Sequence, residues 1–314
     1  MWNAQNNTLA WSTTTGSTHA SFYHVDWSLN GKKITAVFSD GSSSVKTWDA
    51  ATGHLLWQKE YLHNEPDPSE IAWSPDGKFL AVSTGTQTVL TGWGVSVFNG
   101  RTGKLLAFNK KLSGSHGVNS IAWSPDSTMI ATTGEKLSLW NVSSGTTSTV
   151  APTIDYHDVV SWSHDGSALV FGSYGVFQVI DVTTTTTHCT ATYAPGDSTP
   201  MMRIAWSTND QSVFTASFDL MLIFNVSNCA IQRISPYKAG ITPNPVVQWS
   251  PNSKWVALSN GKPTVRMYDV TRGTFAEQFE DDIQKTVVNV SWSPNSHLLA
   301  SIDVGGTVII WALR

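Results

Sequence analysis

Charge is what this 314-residue chain has least of: charged residues make up 13% of it, about half of the usual quarter. The 23 acidic and 19 basic side chains leave a net charge of −4. No broad cationic field exists to hold a polyanion by counterion release, so nucleic acid is not an expected partner. Cysteine is nearly absent, and Cys189 and Cys229 make neither a metal pattern nor a disulfide framework. No apolar run approaches the ~18 residues of a membrane span. The N-terminus, MWNAQNNTLAWSTTTGS, lacks the basic start and continuous apolar stretch of a signal peptide. A cytoplasmic protein is expected, or alternatively the exposed domain of a longer membrane-anchored chain. The N-x-S/T sites at Asn6, Asn141, Asn225 and Asn289 would matter only after secretion.

Catalytic signatures are missing as well. There is no G-x-S-x-G nucleophile elbow, SGSHG at 113–117 being out of register, and no phosphate loop or dinucleotide fingerprint. Carboxylates flank histidines in HNEPDPSE (63–70) and DYHDVV (155–160), but without metal spacing, and both read as solvated loops. No catalytic residue, cofactor or metal is expected. What the chain has instead of charge is Ser, Thr and Asn around an apolar content of 40%, the composition of a globular protein.

It also has one phrase written seven times: VDWSLNG at 25, IAWSPDG at 71, IAWSPDS at 121, VSWSHDG at 160, IAWSTND at 204, VQWSPNS at 247 and VSWSPNS at 290. The tryptophans Trp27, Trp73, Trp123, Trp162, Trp206, Trp249 and Trp292 are 46, 50, 39, 44, 43 and 43 residues apart, near the ~40–45-residue period of a four-stranded propeller blade. Ile71 and Trp73, two apart, share one side of an extended strand where both can be buried. Ser74, Pro75, Asp76 and Gly77 occupy the positions a type I turn favours. After each turn comes an alternating second strand such as KFLAVST (78–84). A third follows, ending in a large apolar or aromatic residue and usually Asn or Asp, as in VKTWDA (45–50) and LSLWNV (137–142). A weaker fourth strand, such as HLLWQKEY (54–61) or KLLAFNKK (104–111), leads to the next phrase.

These seven registered copies resemble the WD-repeat family over essentially the whole chain, with the aromatic-Asp pair literal at Trp48-Asp49 and degenerate elsewhere; the Ser/Thr/Trp-rich texture is similar to bacterial WD-repeat proteins. The resemblance implies an all-β, seven-bladed β-propeller of four-stranded antiparallel blades, one domain over 1–314. It also implies a last blade closed by an N-terminal strand, with residues within about 2–14 pairing with the blade at 288–313. The family's polar network of Gly-His, Ser/Thr, Asp and Trp is approached only in the third blade, by His116, Thr132 or Thr133, Glu135 and Trp140. Cys189 and Cys229 fall in corresponding outer segments of neighbouring blades, which splay apart beyond the ~7 Å Cα limit for a bridge. Two free thiols are expected.

Partners of the family dock on the face formed by the loops leading into each first strand and the turns between second and third strands. There this sequence places Phe22, Tyr23 and His24; Tyr61, His63, Glu65, Asp67 and Glu70; Trp93; Tyr156 and His157; Met202 and Arg203; Tyr237 and Lys238; and Glu280, Asp281 and Asp282. An aromatic patch with acid on both sides suits a cationic or Arg/Lys-bearing peptide. The expected function is a non-enzymatic protein- or peptide-binding scaffold, monomeric as an isolated domain. The alternatives are a sensory or ligand-binding module with a small molecule at the channel mouth, and a propeller hydrolase.

Overall fold

A computed structural model describes residues 2–3, 8–9, 21–39, 42–62, 65–84, 93–112, 117–152, 159–173, 176–192, 203–216, 221–233, 246–259, 263–279, 286–292, 295–303 and 308–312. The only helical element among them is a single 3₁₀ turn, Lys110–Leu112. All else that is regular is antiparallel strand, and each sheet is built from consecutive strands. The first runs Ser21–Trp27, Lys33–Ser39, Ser43–Asp49, Leu55–Tyr61; the second Pro68–Trp73, Phe79–Thr84, Gly94–Asn99, Leu105–Asn109; the third Ser120–Trp123, Met129–Thr133, Lys136–Asn141, Thr147–Pro152. The fourth runs Val159–Trp162, Ala168–Ser173, Val176–Asp181, Thr187–Thr192; the fifth Arg203–Trp206, Ser212–Ala216, Met221–Asn225, Ile231–Arg233; the sixth Val246–Trp249, Trp255–Ser259, Val265–Asp269, Thr274–Phe279. The seventh has three described strands, Val287–Trp292, Leu298–Asp303 and Val308–Ala312.

Of the N-terminal segment expected to close the last blade, residues 4–7 and 10–14 lie outside the described residues. Among the described residues Trp2–Asn3 pairs with Thr8–Leu9, Trp2 opposite Leu9 and Asn3 opposite Thr8. A hairpin between segments this close in sequence closes a short loop at little entropic cost.

The chain divides into two compact units, Met1–Trp162 and Ser163–Arg314. In the first, one core cluster joins Val37, Val45, Trp57 and Tyr61 of the first sheet to Ile71, Trp73, Leu80, Val82 and Phe98 of the second. Another joins Ala81, Val95 and Val97 of the second sheet to Ile121, Trp123, Ile130 and Trp140 of the third. The second unit repeats the device, with Phe214 and Ile223 against Trp249, Val256, Leu258 and Tyr268, then Ala257, Val265 and Met267 against Val287, Val290, Trp292 and Leu299. Each of these four clusters is a pair of sheet faces, and a phrase tryptophan sits in every one. Trp27 alone stays largely exposed, at 47%, while the other six are under 10%.

The repeated tryptophan has a polar task besides filling space. Its indole N–H donates to the carbonyl of the residue preceding the tryptophan one sheet earlier: Trp123 to Ala72 (2.9 Å), Trp162 to Ala122 (3.0 Å), Trp249 to Ala205 (3.0 Å) and Trp292 to Gln248 (3.2 Å). A phenylalanine could not make this bond, and a buried indole N–H needs an acceptor. The first junction is built differently. There the Asp26 carboxylate accepts from the Trp73 backbone N–H (3.1 Å), Lys33 lies 4.9 Å from the Trp73 ring centroid, and the Trp73 Nε1 is buried without a partner. Burial holds the Asp26 carboxyl above its ordinary value, against the opposing backbone hydrogen bonds from Trp73 and Trp27.

The SPDG part of the phrase is a turn with the same wiring in six copies among the described residues. The Ser hydroxyl donates to the Asp or Asn two residues on, at 2.6–2.9 Å, in Ser28/Asn30, Ser74/Asp76, Ser124/Asp126, Ser163/Asp165, Ser207/Asn209 and Ser250/Asn252. The closing residue takes a left-handed φ between +55° and +75°, as glycine at 31, 77 and 166 but as Ser127, Asp210, Ser253 and Ser296 elsewhere. Those four side chains compensate for the strained backbone by tying one turn to the next. Ser127 Oγ accepts from Asp76 N (3.0 Å), Asp210 from His164 N and Asp165 N (2.8 and 2.9 Å), and Ser296 Oγ from Asn252 N (3.1 Å); Ser253 Oγ shares a hydrogen bond with Thr208 Oγ1.

Candidate functional site

A second recurrent turn follows the third strand and sets the outer geometry. Asp49, Asn99, Asn141, Asp181, Asn225 and Asp269 each accept, through Oδ1, the backbone N–H three residues on (2.7–3.2 Å). The fifth residue is left-handed: Gly53, Gly103, Gly145, Thr185, Cys229 and Gly273. Gly103 has a further reason to be glycine, because a Cβ there would come within 2.6 Å of the Trp57 ring. The outermost strand of one sheet thus lies directly on this turn of the next. Trp57 and Cys189 are both eight residues past their turn-leading aspartates, Asp49 and Asp181. Where Trp57 meets Gly103, Cys189 meets Cys229, with Cα atoms 5.8 Å apart and a disulfide between them. The expectation of two free thiols is therefore overturned. The sheets do not splay at this radius, because strand and turn interlock. Cysteine in a left-handed slot filled mostly by glycine was the available signal.

The side chains expected to meet a partner fall into three groups. His63, Tyr156, His157, Met202, Tyr237 and Asp281 lie outside the described residues, as does His116 of the expected polar network. Phe22, Tyr23 and His24 are within a strand, not a connecting loop: Phe22 is opposite Phe38 and His24 opposite Val37, with the register shifting at Tyr23. Arg203 likewise begins a strand, opposite Ala216. The third group is resolved in detail. Glu70 Oε2 accepts from the Ile121 backbone N–H at 2.7 Å, so this carboxylate ties the second sheet to the third. Trp93, half-buried before the strand Gly94–Asn99, has a buried Nε1 with no acceptor. Thr132 is fully buried with its hydroxyl unpaired, Trp140 is in the core at 2% exposure, and Glu135 is exposed.

The acids leading into the second sheet are held within the fold. Glu65 pairs with Lys59 Nζ at 2.8 Å and accepts from the Leu62 N–H at 3.0 Å, and Asp67 accepts from the Ser43 hydroxyl at 2.6 Å. Burial pulls the Glu65 carboxyl upward, but the Lys59 ammonium and the Leu62 amide outweigh it and hold it below the usual range. Beside this loop the chain exposes large apolar side chains that the sequence left unremarked: Leu55 and Leu56 on the outermost strand of the first sheet, Leu105, Leu106 and Phe108 on that of the second, and Leu62 between them. Doubled leucines at a register shift put consecutive residues toward solvent, which strict alternation would not allow. No group of three or more His, Cys, Asp or Glu side chains suited to a metal occurs among the described residues. No helix among them is long and apolar enough to cross a membrane.

Residues 107–141 and 277–312 match the family model described as WD domain, G-beta repeat. No curated protein matches. Among solved structures, the β-propeller domain of Cps50 (Swd1) from Myceliophteria thermophila is similar over 95% of this chain and 99% of that one, with a TM-score of 0.66 and 15% sequence identity. The chain carries WD repeats in those two segments, and its fold is the all-β fold of a WD-repeat β-propeller.

Proposed function

We propose that the chain is a non-enzymatic scaffold that binds a protein or peptide, with its blades forming one domain. The observation that carries this is the row of exposed apolar side chains on the outermost strands of the first and second sheets. Leu62 is 62% exposed, Leu105 51%, Leu106 47% and Phe108 46%, all in one unit. Apolar side chains gathered on a folded surface mark an interaction site. The residues Phe22, Tyr23 and His24 form the second proposed contact, for a cationic segment of the same partner. The Cys189–Cys229 disulfide supports an oxidising compartment as the working environment, in place of the cytoplasm expected from the sequence.

A pull-down from the source lysate, read by mass spectrometry, tests the scaffold. Three baits are compared: the intact chain, Leu105→Ser/Phe108→Ser, and Tyr23→Ala/His24→Ala, each checked for folding by circular dichroism. Capture by the intact chain and loss by the outer-strand variant identifies the surface. Loss only by the second variant moves the site to the first strand of the first sheet, and capture of no protein by any bait refutes the scaffold reading.

A further inference from the structure

We propose that the cleft between the outermost strand of the first sheet and the face of the second binds a small uncharged molecule with an aromatic or branched aliphatic body and one oxygen acceptor, held by the Tyr61 hydroxyl. The cleft has a volume of about 540 Å³, within the ~300–1,000 Å³ range of small-molecule sites. Phe98, Leu105 and Phe108 give it apolar walls, and Lys59 and Glu65 line it with Tyr61. Along Leu55–Tyr61 burial alternates, so Trp57, Lys59 and Tyr61 share the inward side.

Tyr61 is the group that calls for a ligand. It is 6% exposed, and its hydroxyl is buried with no hydrogen-bond partner. Such a group is costly to leave unpaired, and native structures rarely do so without a function for it. Burial first, and then the Glu65 charge, push its ionisation well above the ordinary phenol value, so it stays a donor and asks for an acceptor oxygen. Thr84, in the lining contributed by the second sheet, is already committed: it accepts from Gly94 N–H (3.1 Å) and donates to Gly94 O (3.3 Å). Lys59 and Glu65 are in contact at 2.8–3.1 Å, so each neutralises the other and neither selects an ion. One buried unpaired donor, walls that are apolar apart from Thr84 and Ser96, and a closed ion pair together point to a neutral ligand with an acceptor oxygen.

The proposal goes beyond the scaffold reading and is tested without any protein partner, so failure of one leaves the other standing. Benzamide (ring and acceptor), toluene (ring only) and acetamide (acceptor only) are titrated into the purified chain, following the backbone amide resonances of Lys59, Phe98 and Phe108. Saturable shifts are expected with benzamide and toluene, benzamide binding about five-fold more tightly, the worth of one net hydrogen bond, and none with acetamide. Tyr61→Phe removes an unpaired hydroxyl and keeps the ring. It should therefore unfold at the same or higher denaturant concentration, retain toluene binding and lose the benzamide preference. No saturable shift with any probe overturns the site. An unchanged preference in Tyr61→Phe overturns the role of Tyr61 and with it the ligand class.

Discussion

Opening the Cys189–Cys229 bridge should weaken the unit Ser163–Arg314 by an amount set by the loop it closes. The two cysteines are 40 residues apart, and in the chain-entropy treatment a loop of that length constrains the unfolded state by about 4 kcal/mol. Taking a urea dependence of about 2 kcal/mol/M, the unfolding midpoint should drop by about 2 M on reduction or in Cys189→Ala/Cys229→Ala. If unfolding shows two transitions, only the one belonging to the second unit should move. A partner variant tests the local geometry: Cys229 has φ +59°, so Cys189→Ala/Cys229→Gly should recover about 1 kcal/mol of that loss by relieving the left-handed backbone. Thiol titration of the unfolded, unreduced chain should find none, and two after reduction. Two titratable thiols before reduction, or a midpoint indifferent to reductant, would refute the interlocked strand-and-turn geometry from which the bridge follows.

The tryptophan ladder and the turn carboxylates make separate predictions. Trp249→Phe strands the Ala205 carbonyl, whereas Trp73→Phe removes an indole N–H that has no acceptor and keeps a ring beneath Lys33. The first should cost about 1–2 kcal/mol more than the second in denaturant unfolding, and equal costs would mean the ladder is packing alone. Asp126 is held below the ordinary carboxylate value first by the Ser124 hydroxyl, and Asp165 first by the Ser167 N–H; at Asp76 burial works the other way but the Ser74 hydroxyl and Lys78 N–H outweigh it. For groups lowered in the folded state, the stabilisation is complete above the unfolded value of about 3.9 and disappears as pH falls through the folded values. Asn30, Asn209 and Asn252 hold the equivalent turns without titrating. Asp76→Asn/Asp126→Asn/Asp165→Asn should therefore match the parent near neutral pH and lose its steep decline below about pH 4, and superimposable acid profiles would rule this out.

Much of this structure was legible because its causes are local. Ile71 and Trp73 alternate, Ser74 to Gly77 make a turn by their own side-chain chemistry, and seven copies at a blade-like spacing require an all-β repeat. The residues whose surroundings the sequence did not reveal were those with partners distant in the chain. Glu70 reads as an acid before a strand, but its acceptor role depends on Ile121 N lying opposite it. Tyr61 reads as one more loop aromatic, and only the second sheet packing over it leaves its hydroxyl buried and unpaired. Phe22 to His24 read as loop residues because the boundary of a strand rests on pairing with Phe38 and Val37, which sequence alternation alone does not reveal.

The sequence by itself determined the period, the strands, the turns and the buried tryptophan faces, since each follows from backbone preference and side-chain pattern within a few residues. Only the tertiary structure decided what the repeats do to one another. It placed the indole N–H groups of Trp123, Trp162, Trp249 and Trp292 on carbonyls of the preceding sheet and seated Trp57 on Gly103. By the same interlock it brought Cys189 to Cys229, and it shaped the cleft around Tyr61. Those contacts join residues about 40 to 50 positions apart, and their distances are set by how two sheet faces pack, a quantity no single repeat contains.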